Sequence, residues 1–263
     1  MADALAPKQT FEKAVAIGEA KTRMSVLRMF SLSVLAGAFI GFGGMMLLLV
    51  KADQSLSFAT SALLGGIGFS IGLFAVVTAG AELFTGNNLM TIGMMSGRYG
   101  PMSLLRSWAL VYAGNLAGSV IVAALLHGCG FAQMGGGSVG EALSSVAVAK
   151  CSLPMWTMVA RGIMCNLLVC LAVWMSFAGR SVADKFLATL VPVTAFVACG
   201  FEHCVANMMI LPFAMMEGTG VTLGQVVTNV AVVTIGNMIG GAALFAGAYW
   251  LAFGMGGKDS GQS

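Results

Sequence analysis

From Phe186 to Phe201 no side chain is charged, and from Cys204 to Met216 none is either; Glu202 and His203 stand alone between the two runs. Of the 263 residues, 58% are hydrophobic and only 9% charged, and mean hydropathy is +0.92. Soluble domains carry roughly 25% charged residues. This chain has too few to cover a globular surface, whereas in lipid its apolar side chains face outward without cost. It is read as an all-α integral membrane protein. The net charge of +3 includes no basic cluster, and no nucleic-acid partner is expected.

Charged residues punctuate the apolar runs and mark six spans, near 29–50, 58–97, 104–127, 155–178, 186–216 and 225–253. A bilayer core of about 30 Å needs about 20 helical residues. The second and fifth runs are too long for one simple helix, and each holds ionisable residues, Glu82 in one and Glu202 with His203 in the other. Leu83 to Gly97 is too short to cross by itself, so each long run is read as one broken span. Six spans put both termini on one side. With that side cytoplasmic, Lys8, Lys13, Lys21, Arg23, Arg28, Arg98, Arg106, Arg180, Lys185 and Lys258 lie inside, and only Lys51 and Lys150 outside, with Arg161 within a span. This is the asymmetry of the positive-inside rule. The chain divides into an N-terminal cytoplasmic amphipathic helix within 1–28, with Phe11, Val15 and Gly18 on one face, a transmembrane channel domain over 29–253, and a cytoplasmic tail over 254–263. No signal peptide is read in the first 28 residues.

A repeat runs through the spans. GAELFTGN (Gly80–Asn87) aligns with GFEHCVAN (Gly200–Asn207) at an offset of 120, and GNLAG (Gly114–Gly118) with GNMIG (Gly236–Gly240) at an offset of 122. Three spans make one unit, so the second unit is inverted in the membrane. Inverted repeats with matching interrupted helices point to a transport pathway near the midplane.

Glu82 and Glu202 are equivalent in the repeat. Their pairing favours a structural role, each carboxylate accepting backbone N–H groups freed where the helix unwinds; direct proton or cation handling is the other reading. His203 breaks the symmetry, since its partner is Leu83. An ionisable residue at this depth is costly and functional by default, and it is read as a donor of a hydrogen bond to something passing, with donation of a proton as the further reading. No Cys or His stands at metal-ligand spacing, so neither a metal nor a cofactor is expected. Most of the six cysteines are read as small packing residues; Cys129 and Cys151 flank one polar loop, and spacing alone does not decide whether they pair. Lys150 is open between a plain loop charge and a collector of anions at a pore mouth, and Arg161, with no acid close in sequence, is open to pairing with a neighbouring subunit or a lipid headgroup.

GAELFTGN, RGIMCNLLVCLAVWMSFAGRS (Arg161–Ser181), GFEHCVANM and GNMIGG together closely resemble the formate/nitrite transporter family, over about Arg23 to Phe253. The resemblance implies an aquaporin-like protomer of six helices with broken second and fifth helices, assembled as a homopentamer with one pore per protomer in the cell inner membrane. It places the family's central histidine on His203, its mobile-loop threonine on Thr85, the asparagine near the pore on Asn166 and the vestibule lysine on Lys150. Phe69, Leu73 and Phe196 match the pore constriction, and Asn207 with the two glutamates the support of the broken helices. The implied activity is proton-linked passage of the small anions of weak acids, with formate favoured and nitrite or hydrosulfide as alternatives. A neutral-solute channel and a membrane-embedded redox subunit rank below.

Overall fold

The computed structural model describes residues 4–255; Lys258 and the expected tail beyond Met255 lie outside the described residues, as do Met1 to Asp3. Among the described residues there is no strand. The helices are α1 (Pro7–Thr22), α2 (Val26–Lys51), α3 (Phe58–Ala79), α4 (Met90–Met95), α5 (Pro101–Gly128), α6 (Ser138–Cys151), α7 (Met155–Ala178), α8 (Val182–Ala198), α9 (Cys204–Met216), α10 (Leu223–Met238) and α11 (Gly247–Phe253). A π-helical stretch over Ile239–Ala246 joins α10 to α11. Hydroxyl N-caps start several of them. Ser25, Ser57, Ser181 and Thr222 accept the N–H of Arg28, Thr60, Asp184 and Gln225, satisfying donors that a helix start leaves orphaned.

Among the described residues, five helices are long and apolar enough to cross a membrane: α2, α3, α5, α7 and the continuous Leu223–Phe253. The fifth run of the sequence is divided into α8, of 17 residues, and α9, of 13. Both long runs are interrupted at a glycine. Gly80 and Gly200 have φ of +73° and +67°, a left-handed conformation that glycine adopts at little cost. The N–H of the next residue closes each helix end, Ala81 onto Val76 O and Phe201 onto Phe196 O, both at 3.0 Å, as in a Schellman cap.

One element departs from the sequence reading. The polar loop between Cys129 and Cys151 contains α6, which buries Val139, Ala142, Leu143 and Ala147 on one face. Gly135, Gly136 and Gly137, all at positive φ, turn the chain into it. Lys150 is therefore carried in the last turn of a helix. All six cysteines are unpaired, with Cys165, Cys170 and Cys204 buried and Cys129 and Cys199 exposed.

The two halves share a packing device. A Cβ on Gly118 of α5 would fall on the carbonyl of Val34 in α2, and one on Gly240 would fall on the carbonyl of Ile163 in α7. Small residues there let the helix backbones touch. Gly118→Ala is expected to cost about 1–3 kcal/mol through forced separation of α2 and α5. The thermal midpoint of the detergent-solubilised protein checks it, with Leu116→Ala on the exposed side of α5 as the unchanged control.

Candidate functional site

At each interruption the backbone leaves the helix inside the protein, and its polar groups need partners where water is scarce. The partners come from an asparagine on a different helix. Asn115 Oδ1 accepts the N–H of Phe84 at 2.8 Å, and its Nδ2 donates to Ser33 O and Glu82 O at 2.8 and 2.9 Å. Asn237 repeats this. Its Oδ1 accepts the N–H of Cys204 at 3.0 Å, and its Nδ2 donates to Gly162 O and Glu202 O at 2.8 and 2.9 Å. Both side chains are fully buried.

The carboxylates do something else than expected. Glu82 and Glu202 do not take the freed N–H groups: those of Phe84 and Cys204 go to Asn115 and Asn237, and those of Glu82 and Glu202 to Leu32 O and Arg161 O at 3.2 and 3.3 Å. Instead, each accepts from the asparagine five residues on, Asn87 and Asn207, at 2.7 Å. Each also pairs with a lysine from a distant helix, Lys21 with Glu82 at 2.9 Å and Lys150 with Glu202 at 3.0 Å. A cation on another helix satisfies a buried carboxylate better than a neutral N–H does. Lys21 belongs to α1, which thereby locks onto the first interruption; Leu5 N–H and Lys13 Nζ reinforce the seat through Ala178 O and Phe177 O. At the second interruption Asn229 Oδ1 accepts a second bond from Asn207 Nδ2.

Thr85 and His203 meet between the interruptions, with Oγ1 and Nε2 2.9 Å apart. His203 Nδ1 accepts the N–H of Ala206 at 3.1 Å and so caps α9. In the neutral ring the proton is therefore assigned to Nε2, facing Thr85. The threonine hydroxyl, receiving that bond, keeps its own proton to donate. The imidazole stacks on Phe196 at 5.9 Å and 19°, and Phe196 meets Phe69 edge-on at 5.9 Å.

Two cavities approach this contact from opposite ends of α3. One, about 490 Å³, reaches His203 past Phe69 and Phe196 and is also lined by Lys51, Lys150 and Arg161. The other, about 250 Å³, lies under α1 and is lined by Leu83, the repeat partner of His203, with Lys13, Lys21, Lys185 and Glu82. Burial, followed by the neighbouring Lys185 and Arg180, holds Lys13 below the ordinary lysine range.

Of the residues singled out from the sequence, Thr85, His203, Phe69 and Phe196 are thus gathered at one place, and Lys150 lines the approach. Leu73 is buried but lines neither cavity. Asn166 is also set back. Its Nδ2 donates to Asn237 O at 2.7 Å, a carbonyl that an α-helix would give to the N–H of Gly241, and the π-helical stretch begins two residues on. A side chain inserted into the helical ladder is one cause of such a bulge. Sequence reasoning missed Asn115, Asn237, Lys21 and Asn229; the signal for the first two was the matched asparagine of GNLAG and GNMIG. Among the described residues no group of three or more His, Cys, Asp or Glu side chains is gathered as a metal would need.

The sequence profile described as "Formate/nitrite transporter" matches residues 8–251. The chain belongs to the formate/nitrite transporter family. Among its relatives, the formate channel FocA of Escherichia coli K12 is 34% identical, the match covering 95% of each chain. A probable formate transporter of Methanothermobacter thermautotrophicus is 36% identical over 94% of this chain and 96% of its own. A solved pentameric formate channel with formate bound superposes with TM-score 0.80 at 34% identity, covering 87% of this chain and 97% of that one. As a member of this family the protein is a multi-pass membrane transport protein, and its relatives are named channels and transporters.

Proposed function

We propose that the chain passes small monovalent anions of weak acids across the cell inner membrane, formate first, linked to protons, with the path running through the Thr85–His203 contact. The observation that carries this is the buried Thr85–His203 hydrogen bond, which leaves the Thr85 hydroxyl proton free to donate, at a point that two cavities approach from opposite ends of α3. Between apolar rings a bare anion has a large desolvation penalty and its neutral acid a much smaller one. A proton taken up beside this contact converts the first into the second. Because Ala206 N–H occupies Nδ1, His203 serves as a fixed donor, and a second ring proton would have to displace that bond. Formate precedes nitrite and hydrosulfide because relatives at about a third identity are named formate channels and transporters.

The same reading joins α8 and α9 into one broken span and α3 with α4 into another. That gives six crossings in an inverted repeat with both termini cytoplasmic, α1 lying on the cytoplasmic face ahead of the channel domain. A neighbour that is a pentamer supports a homopentamer embedded in lipid.

Uptake of formate, nitrite and hydrosulfide into proteoliposomes at several pH values tests it. Formate flux is expected to rise as pH falls. His203→Ala is expected to lower it about tenfold, the worth of one hydrogen bond to a charged group at about 1.5 kcal/mol. Flux independent of pH, or unchanged in His203→Ala, overturns the proposal.

A further inference from the structure

The cavity that reaches His203 is lined by three cations and one carboxylate: Lys51, Lys150 and Arg161 against Glu202. The lysine matched to the family's vestibule is the one that is spent. Lys150 Nζ lies 3.0 Å from both oxygens of Glu202, so that pair presents no net charge to the cavity. Lys51 and Arg161 form no ion pair with a carboxylate among the described residues. Asp53, the acid nearest Lys51 in sequence, turns its Oδ1 to the N–H and hydroxyl of Ser55 at 2.9 and 2.6 Å. Arg161 Nη1 donates only to a carbonyl, Gly200 O at 3.3 Å, which aims the guanidinium across the left-handed turn that precedes Glu202. Both side chains are half-buried, where low-dielectric walls strengthen a charge and focus its field.

We infer that Lys51 and Arg161, one at the end of α2 and one in the second turn of α7, form the anion-collecting site of this mouth, a two-cation cradle for a small monovalent carboxylate or its like, while Lys150 acts as the clasp of the broken helix. The inference rests on the anion-pathway reading above. Lys51 ends α2, and Arg161 is tied to Gly200 O, three residues before His203. Among the described residues, no carboxylate other than the paired Glu202 lines this cavity.

The test is formate uptake into proteoliposomes above the pH at which formate is ionised, for wild type, Lys51→Gln, Arg161→Lys and Lys51→Gln/Arg161→Gln, at low and at high ionic strength. At low ionic strength the double variant is expected to take up formate about tenfold more slowly, the lower end of the range of electrostatic steering. Lys51→Gln should fall part of the way, and Arg161→Lys, which keeps the charge, should stay near wild type. At about 1 M salt, where the Debye length is about 3 Å, the differences should shrink below twofold. Equal uptake by the double variant and wild type at low salt overturns the inference, as does a deficit that persists unchanged at high salt or one shared by Arg161→Lys. Wild type that takes up no formate sinks the functional reading itself; wild-type uptake with insensitive variants sinks only this site.

Discussion

Lys150→Met is expected to destabilise the folded protein by about 3–5 kcal/mol, because it strips one partner from a buried ion pair. The Glu202 side chain is 3% exposed and that of Lys150 16%. Without the lysine, the carboxylate keeps one donor, Asn207 Nδ2 at 2.7 Å, and holds a charge with nothing to oppose it. The second interruption then loosens, since Glu202 also fixes Asn207 in α9. For a chain of this size the thermal midpoint should drop on the order of 10 °C. Adding Glu202→Gln to Lys150→Met should recover most of the loss, since a buried pair as a whole is worth little more than a neutral replacement. The double variant removes the orphaned charge and keeps an oxygen for Asn207. Unfolding midpoints of the two single variants, the double variant and wild type complete the cycle. A double variant no better than Lys150→Met would show that Lys150 contributes by packing and not by charge. A Lys150→Met protein as stable as wild type would mean that the pair is not closed.

Much of this arrangement was legible in the chain, and the rest was hidden for identifiable reasons. The bilayer forces long apolar helices, and sparse charges mark where they end, so α2, α5 and α7 fall within a few residues of the spans read from the sequence. The interruptions were marked by a glycine two residues before an ionisable side chain in each long run. Thr85 and His203, 118 residues apart, came together through a family pattern and not through any spacing. α6 escaped notice because three glycines precede it and its buried face is only four residues wide. Lys21 read as one of ten charges on its side, since nothing local announces a partner 66 residues away such as Asn87. The glutamates were assigned the backbone N–H groups because sequence shows which groups a broken helix frees, but not which neighbour arrives to take them. Asn115 and Asn237 lie 31 and 33 residues from the N–H groups they accept, inside spans where an asparagine among glycines looks like close packing.

Those asparagines support the second large prediction. Asn237→Ala deletes one acceptor and two donors at a fully buried position. The N–H of Cys204 and the carbonyl of Glu202 lose their side-chain partner, and each unsatisfied group costs about 1–3 kcal/mol. The expected loss is about 3–5 kcal/mol. Single hydrogen bonds between membrane helices are often worth only about 0.6 kcal/mol, because the partners find substitutes in the unfolded state. Here the orphans are backbone groups in the folded state, with no helical ladder to return to. Asn115→Ala should cost a similar amount through Phe84 N–H and Glu82 O. The contrast with His203→Ala separates scaffold from pathway. That variant removes a helix cap worth about 1 kcal/mol and should reduce flux far more than stability. Asn237→Ala should reduce both, because Cys204 directly follows His203 and the freed backbone no longer holds the imidazole against Thr85. Unfolding midpoints and formate uptake measured on the same preparations decide between these outcomes. An Asn237→Ala protein that unfolds at the wild-type temperature would mean that the interruption holds itself through Glu202 and Lys150 alone.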